Sequence, residues 1–297
     1  MEQPRTAATQ QEAWTIGRLL EWTDRFLAQK GSRSPRLDTQ LLLAHALNCS
    51  RMELYTRYND PAPDDVRQRF KELVRKRAEG CPVAYLVGRK EFYSLPFEVS
   101  PAVLIPRPAT ETLVMECLKR ARDIPAPTVL DIGTGSGNIA VAVAHQHKQA
   151  QLTATDISPA TLAVAARNAL AHKVADRIRF LQGDLFAPIP PGEVFDFILS
   201  NPPYVTQDEL QRLEVNVRDY EPHLALDGGP TGLLIVERLI DQARDFLKPG
   251  GHLMIEIAPS QDEKVLNLLG SHSAYEVGKT FPDCDNLLRI AWALRAK

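Results

Sequence analysis

Asn201-Pro202-Pro203-Tyr204 directly follows an apolar run, residues 195–199, that is typical of a buried strand. The Asn201 side-chain oxygen and the Pro202 backbone carbonyl could each accept one N–H bond of a planar, uncharged nitrogen. Such a nitrogen is a poor nucleophile because its lone pair is delocalised, so two acceptors would hold its N–H bonds and aim the lone pair at an electrophile. Positioning and electrostatic preorganisation would then supply most of the acceleration, without a histidine or lysine base.

The other two residues of this motif support the same interpretation. Pro202 and Pro203 fix φ and offer no competing N–H donor, and Tyr204 could stack on a flat amide or base. We therefore predict Asn201, Pro202 and Tyr204 to be catalytic, and all four motif residues to bind the acceptor. A proline turn after a strand, without any ligand, is the alternative.

A glycine-rich loop, Asp131-Ile132-Gly133-Thr134-Gly135-Ser136-Gly137, lies upstream of this motif. Glycine tolerates positive φ and lets a ligand approach the backbone closely. The spacing departs from the GxGxxG pattern of dinucleotide sites and suits S-adenosyl-L-methionine, which offers a carboxylate and an ammonium instead of a pyrophosphate. We expect the loop from Gly133 to Gly137 to hold this donor, with Asp131 pairing with its ammonium. A tight strand-to-helix turn is the alternative.

Two further acids follow predicted strands and complete a donor site. An acid at the position of Asp156 can accept both ribose hydroxyls, although it could instead cap the helix that begins near Ser158. Asp184 could accept from the adenine amino group, with Leu185 against the ring, or it could serve only in a turn. We assign Asp156, Asp184, Leu185 and Asn201 to the donor site together with the glycine loop.

The elements that must position these residues alternate between strand and helix from Thr128 onward. Strands are predicted near 128–133, 151–156, 177–182, 194–200, 251–257, 274–279 and 287–293. This alternation predicts an α/β fold with a doubly wound, mostly parallel, seven-stranded sheet. Ligands on such sheets bind beyond the carboxyl ends of the strands, which is where the glycine loop, both acids and Asn201 lie.

Residues from Glu12 to about Glu79 show helical periodicity and predict a small all-helical domain. Asp64 is a candidate N-cap for its last long helix. That helix carries six basic side chains against few acids, either as a solvated face or as a contact surface for an acidic or nucleic-acid-bearing partner; they are Arg67, Arg69, Lys71, Arg75, Lys76 and Arg77.

Composition excludes several other classes of protein. The chain has 297 residues with a net charge of −2, without the basic excess that proteins gripping duplex nucleic acid usually carry. Its four cysteines form no CxxC pair, so we expect neither a metal site nor a disulfide framework. The sequence shows no signal-peptide core and no 18-residue apolar run, so we expect a cytoplasmic protein without a membrane partner.

Three segments together resemble the bacterial-type release factor glutamine methyltransferase family. They are the glycine loop 133–137, the motif 201–204, and Leu104-Ile105-Pro106-Arg107-Pro108 with Thr110-Glu111; Glu221-Pro222 and Gly228-Gly229 also fit. The family pattern has an acid where Ala109 stands, a glycine where Ala258-Pro259 follows Ile257, and a glycine before Arg289. The resemblance covers nearly the whole chain.

The resemblance implies N5-methylation of the glutamine in the Gly-Gly-Gln motif of peptide chain release factors, with S-adenosyl-L-methionine as donor. It implies a helical docking domain over residues 1–80, a hairpin linker over 81–110 and a methyltransferase domain over 111–297. It also places Arg107 and Glu111 at the acceptor pocket. We expect a monomer that binds release factors and forms no stable complex with nucleic acid.

Three rival functions share parts of these motifs. An adenine-N6 DNA or RNA methyltransferase could use Asn201 on an exocyclic amine, but it would flip its base and need a target-recognition region. A glutamine methyltransferase acting on a ribosomal protein would carry the same motifs. A non-catalytic module that binds release factors is a third alternative, which failure to bind the donor would favour.

Overall fold

The computed structural model describes residues 14–297, so residues 1–13 of the predicted helical domain lie outside the described residues. The chain divides into two compact units, one ending at Val87 and one formed by Gly88–Lys297. The division follows a short helix whose residues Val83, Leu86 and Val87 pack against the core of the helical unit. The predicted domain boundaries at residues 80 and 110 stay predictions.

The helical unit consists of α1 (Ile16–Gln29), α2 (Pro35–Leu47), α3 (Arg51–Thr56), α4 (Asp64–Ala78) and α5 (Val83–Val87). Its core is a cluster of buried aliphatic side chains around Phe70, which is 2% exposed. The Thr15 hydroxyl caps α1 by accepting from the Arg18 N–H, and Ser50 with Glu53 forms a reciprocal capping box on α3.

Helix α4 begins one residue before the position that the sequence suggested. Its N-cap is Pro63, so the prediction that Asp64 is the cap is wrong, and Asp64 instead pairs with Arg67 on the helix surface. Other arginines of α4 are paired as well, Arg69 with Asp65 and Arg75 with Glu72 and Glu79. The acids of the same helix thus offset much of its basic charge, which favours the interpretation of α4 as a solvated face.

The second unit opens with a two-stranded antiparallel hairpin, β1 (Arg89–Phe92) and β2 (Leu95–Glu98). The register pairs Phe92 with Leu95, so the turn consists of Tyr93 and Ser94. Both turn residues have positive φ, 50° and 59°, as in a type I′ turn. Phe92 and Phe97 anchor the hairpin in the core, with their rings 6.0 Å apart and edge to face.

The main sheet carries its strands in the order β5-β4-β3-β6-β7-β10-β8. Strands β3 (Thr128–Ile132), β4 (Gln151–Asp156), β5 (Ile178–Gln182), β6 (Phe195–Ser200) and β7 (Leu247–Glu256) pair in parallel. Strand β10 (Leu288–Arg295) is antiparallel to β7, to β8 (Tyr275–Val277) and to the unpredicted two-residue β9 (Phe281–Pro282). The predicted doubly wound, mostly parallel, seven-stranded sheet is confirmed.

Alternate residues of each central strand point to opposite faces of the sheet, and both faces carry buried apolar side chains. Helices therefore cover both faces. Val129 and Phe197 join one buried cluster, with α6 (Thr110–Ala121) and α7 (Asn138–Gln146), while Leu130 and Ile198 join a second. The remaining helices of this unit are α8 (Pro159–Ala171), α9 (Gln207–Leu210), α10 (Val215–Arg218), α11 (Leu234–Phe246) and α12 (Asp262–Ser271). The strand order reverses between β3 and β6, which places the crevice for a ligand at the carboxyl ends of these two strands.

Residues 14–297 contain no helix with both the length and the apolar composition needed to cross a membrane. Within the same range, no three histidine, cysteine or acidic side chains are grouped so that they could hold a metal ion.

The hairpin turn gives a first testable prediction. Ser94 is exposed and has φ of 59°, a conformation that costs an L-residue about 1 kcal/mol or more and that glycine adopts freely. We expect Ser94→Gly to raise the free energy of unfolding by about 0.5–1 kcal/mol. Chemical denaturation checks this, with Ser94→Ala as the control that keeps the Cβ and should give no gain. Equal stability of the two variants would contradict the turn geometry.

Candidate active site

A cavity of about 420 Å³ opens at the carboxyl ends of β3 and β6, within the size range of small-molecule sites. Its walls come from the glycine loop, the ends of β4 and β6, and the segments before α6 and α11. Predicted site residues that line it are Arg107, Gly133, Thr134, Gly135, Ser136, Asp156, Asp184, Leu185, Asn201, Pro202 and Pro203. Asp131, Gly137, Glu111 and Tyr204 lie outside the lining.

The glycine loop is held open toward this cavity. Gly133 and Gly135 have φ of 71° and 58°, and a Cβ added to either would meet no atom closer than 4.0 Å. Both conditions suit a ligand that lies directly against the backbone. Gly137 serves packing instead, because an added Cβ would come within 3.1 Å of the Ala165 Cβ on α8.

Asp131 lies beneath the loop and is fully buried. Its Oδ2 accepts from the Thr134 hydroxyl at 2.7 Å and from the Ala140 N–H at 3.3 Å, whereas its Oδ1 has no hydrogen-bond partner. Burial raises the pKa of this carboxyl to about 7. The structure thus assigns Asp131 a part in shaping the loop, and its pairing with a donor ammonium stays a prediction.

Asp156 ends β4 and faces the cavity beside the glycine loop. Its two oxygens accept from the Gly135 N–H at 3.1 Å and from the Ser158 N–H at 3.0 Å. Ser158 caps α8 by accepting from the Thr161 N–H, so the alternative of Asp156 as the helix cap is not needed. Burial raises the pKa of the Asp156 carboxyl, which these backbone donors partly counteract.

Asp184 follows β5, which ends at Gln182, and lines the cavity with Leu185. Its Oδ2 accepts from the Arg238 guanidinium of α11 at 2.5 Å, a contact that the sequence did not indicate. Leu185 is 9% exposed and adopts a positive φ of 47°, an uncommon conformation for this residue type. Asp184 and Leu185 therefore place a polar and an apolar side chain next to each other on the same wall of the cavity.

Asn201 extends from the carboxyl end of β6 into the cavity wall. The Ser200 hydroxyl before it donates to the Ile132 carbonyl at 2.8 Å, which ties the end of β6 to that of β3. The Asn201 Nδ2 donates to the Thr110 hydroxyl at 3.1 Å, and Thr110 in turn donates to Glu256 at 2.6 Å. The amide of Asn201 is thereby fixed before any ligand arrives.

Tyr204 turns away from the cavity lining, and its stacking role stays a prediction. Its hydroxyl lies 3.4 Å from Glu256 Oε1, and its carbonyl accepts from the Gln261 side-chain amide at 3.0 Å. Burial, with the nearby Glu256 carboxylate, raises the pKa of the Tyr204 hydroxyl to about 12. Burial also raises the pKa of Glu256.

Arg107 lines the cavity and forms an ion pair with Glu221 at 2.6 Å, in which the carboxylate is 1% exposed. The same carboxylate accepts from the Ile105 N–H at 3.1 Å, so it joins the segment before α6 to the loop after α10. Glu111 accepts from the Tyr93 N–H at 2.9 Å and holds the hairpin turn to α6. A pocket role for Glu111 stays a prediction.

Several further residues line the cavity that the sequence did not assign to the site, although some of them stand in the motifs quoted above. They are Ala102, Val103, Leu104, Pro106, Thr110, Ile132, Asn138, Ile139, Thr155, Ile157, Ser158, Thr161, Gly183, Ser200, Pro222, Leu224, Ala225, Ile235 and Arg238. The ones adjacent to the motifs, such as Asn138 and Ser200, could have been added from their positions alone. Arg238 lies inside a helix and carries no local signal.

Comparisons with known proteins show which family the chain is similar to. Residues 18–88 match the family model described as the PrmC N-terminal domain, and residues 108–218 match the methyltransferase small domain. The chain is 50% identical over 250 residues to a release factor glutamine methyltransferase of Rhodopirellula baltica, covering 83% of this chain and 84% of that protein. A protein of the same name from Geobacter sulfurreducens is 43% identical over 257 residues, covering 86% and 89%.

A solved methyltransferase structure from Pyrococcus furiosus has a TM-score of 0.51 at 22% identity. The match covers 70% of this chain and 92% of that one, and it supports the fold alone.

The fold and the site define a Rossmann-like methyltransferase that uses S-adenosyl-L-methionine. Its open glycine backbone and the Asp156 carboxylate beside it fit that donor. The chain belongs to the release factor glutamine methyltransferase family. The predicted family and the predicted donor are thus confirmed.

The buried Asp131 gives a prediction about pH. Its pKa is raised to about 7 from an ordinary value of 3.8, so the folded chain takes up a proton that the unfolded chain releases at lower pH. The contribution of this group to stability is therefore complete at low pH and falls as the pH rises from about 4 to about 7. Through this group, the free energy of unfolding of the wild type should fall by roughly 4 kcal/mol over that pH range. The Asp131→Asn side chain stays neutral, so we expect this variant not to show that fall.

Urea denaturation of the donor-free protein at a series of pH values checks this prediction. Asp176→Asn changes an exposed aspartate of the same unit and serves as the matched control. Its stability curve should run parallel to that of the wild type. A parallel curve for Asp131→Asn as well would show that Asp131 has no raised pKa in the folded chain.

Proposed function

We propose that this protein methylates the side-chain amide nitrogen of the glutamine in the Gly-Gly-Gln motif of peptide chain release factors. The observation that carries the proposal is the Asn201 carboxamide, held at the cavity wall by Thr110, next to a glycine loop that is open toward the same cavity. The names of the relatives support the substrate, and the site supports the chemistry.

The acceptor amide is held by two oxygens of the motif. The Asn201 Oδ1 accepts one N–H of the glutamine side chain and the Pro202 carbonyl accepts the other, which leaves the nitrogen lone pair directed along the cavity. Both Pro202 and Pro203 line this cavity, and neither offers an N–H that would compete with the substrate. S-adenosyl-L-methionine supplies a methyl group on a positively charged sulfur when it is bound.

Transfer would form a bond between the acceptor nitrogen and the methyl group and break the bond from that methyl group to sulfur, with the electron pair left on sulfur. The acceptor nitrogen would then lose one proton to water. Because that proton becomes acidic only after the methyl group has arrived, no side chain has to remove it beforehand. The contribution of the protein is orientation and a preorganised pair of acceptors. Gly133 to Ser136, Asp156, Asp184 and Leu185 hold the donor, Asp156 at the ribose and Asp184 near the adenine.

The charge of the chain favours a protein substrate over a nucleic acid. The net charge of −2 gives no electrostatic footprint for a nucleic acid, and the arginines of α4 are paired with acids. A glutamine on a ribosomal protein remains the rival substrate for the same chemistry. The predicted cytoplasmic location and the predicted monomeric state stay predictions.

Asn201→Ala tests the acceptor role. We expect the rate of methylation of a release factor to fall about 100–1000-fold, because one of two preorganised hydrogen-bond partners is lost. Mass spectrometry of the release factor, after incubation with the protein and labelled donor, measures this rate, with a ribosomal protein and duplex DNA as competing substrates. Methylation of either competitor instead of the release factor would overturn the proposed substrate.

Calorimetry of donor binding completes that test. The donor affinity of Asn201→Ala should stay within about threefold of wild type, since the glycine loop, Asp156 and Asp184 supply the other donor contacts. Asn267→Ala, an exposed asparagine on α12, is the matched control and should behave as wild type in both assays. If donor affinity and rate fell together in Asn201→Ala, Asn201 would be a donor-binding residue instead.

The helical unit is proposed as the docking surface for the release factor. Trp22 on α1 is 51% exposed and stacks on Phe26 with ring centroids 5.1 Å apart. Exposed tryptophans are frequent anchors of protein interfaces. We expect Trp22→Ala to lower kcat/KM about tenfold for an intact release factor and to leave a short Gly-Gly-Gln peptide unaffected.

The control for docking is Leu170→Ala, which removes an exposed apolar side chain, 67% exposed, from the other unit. It should leave kcat/KM for both substrates unchanged. Steady-state kinetics with the intact factor and the peptide, side by side, separates docking from chemistry. An equal loss for factor and peptide in Trp22→Ala would refute the docking role of this surface.

A further inference from the structure

A chain of hydrogen bonds runs from the acceptor motif into the protein interior. The Asn201 Nδ2 lies 3.1 Å from the Thr110 Oγ1, which lies 2.6 Å from the Glu256 Oε2. The second carboxylate oxygen, Glu256 Oε1, lies 3.4 Å from the Tyr204 hydroxyl. Thr110 and Glu256 are each 1% exposed, so water does not compete for these groups.

The direction of this chain follows from the single proton of the threonine hydroxyl. Burial raises the pKa of Glu256, whereas the hydrogen bond from Thr110 and the positive charges of Arg289 and Arg107 lower it. In its ionised form Glu256 has no proton to give, so it accepts from the Thr110 hydroxyl at 2.6 Å. The Thr110 hydroxyl therefore donates to Glu256 and has only a lone pair left for Asn201. The group of Asn201 that faces Thr110 must then be the N–H and not the oxygen.

We propose that Thr110 and Glu256 are positioning residues that fix which way the Asn201 carboxamide faces, and thereby make its oxygen available to the substrate. The proposal rests on the proposed function, in which the acceptor is a carboxamide with two N–H bonds. The oxygen and nitrogen of an asparagine amide are nearly equal in size, so packing alone does not choose between the two orientations. The choice has to come from hydrogen bonds.

An inverted Asn201 would place its NH₂ group against the N–H of the substrate. Two donors would then face each other, and a buried polar group would be left without a partner. The hydrogen-bonded chain Asn201–Thr110–Glu256, called the relay below, disfavours the inverted orientation before the substrate binds. Inversion would set the Asn201 oxygen against the Thr110 oxygen, whose only proton is already donated to Glu256. The effect should appear in kcat and not in donor affinity.

The test compares three variants of helix α6 in the full-length protein. Thr110→Val keeps the shape but has no oxygen, Thr110→Ser keeps the hydroxyl, and Thr112→Val changes another buried threonine of α6 that does not line the cavity. With an intact release factor as substrate, we expect kcat to fall about 30-fold in Thr110→Val. In the other two variants kcat should stay within about threefold of wild type, and all three should bind the donor with wild-type affinity.

A second measurement does not depend on activity. The protein is labelled with ¹⁵N-asparagine, and the side-chain amide signal of Asn201 is identified by NMR as the signal that is missing in Asn201→Asp. The exchange of these amide protons with water is then measured. The exchange should be slow in wild type and in Thr110→Ser, and faster in Thr110→Val. Thermal unfolding of each variant shows whether the chain is folded under the assay conditions.

The outcomes separate the two proposals. If wild type binds the donor and methylates no release factor, the proposed function fails, and the exchange measurement still decides whether the relay orients Asn201. Equal amide exchange in wild type and Thr110→Val, or an equal loss of kcat in Thr110→Ser and Thr110→Val, would overturn the positioning role. If Thr110→Val does not fold, slow exchange in wild type together with near-normal kcat in Thr110→Ser supports the relay, and fast exchange in wild type overturns it.

Discussion

The pairing of β3 with β6 is the constraint on which the rest of the site depends. These strands lie side by side in parallel, with Ile132 opposite Ser200, so the glycine loop and Asn201 leave the sheet at the same edge. The Ser200 hydroxyl reinforces the register by donating to the Ile132 carbonyl at 2.8 Å. A shift by one residue would turn alternate side chains to the opposite face and separate the donor loop from the acceptor motif. The distance between donor and acceptor is thus set by backbone hydrogen bonds of the sheet.

Three buried carboxylates stiffen the loops that leave this edge, each in a different way. Glu221 joins two segments through an ion pair with Arg107 and a backbone N–H. Glu256 accepts from Thr110 and faces Tyr204, while Asp131 accepts from within the glycine loop and keeps one oxygen without a partner. Burying a carboxylate is costly unless it is hydrogen-bonded. Each of these three carboxyl groups is buried and hydrogen-bonded at a point where a loop has to keep one conformation.

The fold and most of the cavity wall could be predicted from the sequence because they depend on local signals. Apolar runs mark the strands, and the polar residues that follow them must meet at one sheet edge. The environment of these residues could not be predicted in the same way. Thr110 and Glu256 are 146 positions apart, and nothing near either residue indicates their contact. The same holds for Asp184 with Arg238, which only the packing of α11 brings together.

Ala258-Pro259, where the family pattern has a glycine, is linked to the acceptor motif through Gln261. The Gln261 side chain accepts from the Ala258 N–H at 3.1 Å, and it donates to the carbonyls of Tyr204 at 3.0 Å and of Gly232 at 3.1 Å. A Cβ on Gly232 would come within 2.6 Å of that same amide nitrogen. One buried glutamine thus joins the turn after β7, the acceptor motif and the loop before α11. The departure from the family pattern therefore lies in a turn that this side chain holds, outside the cavity wall.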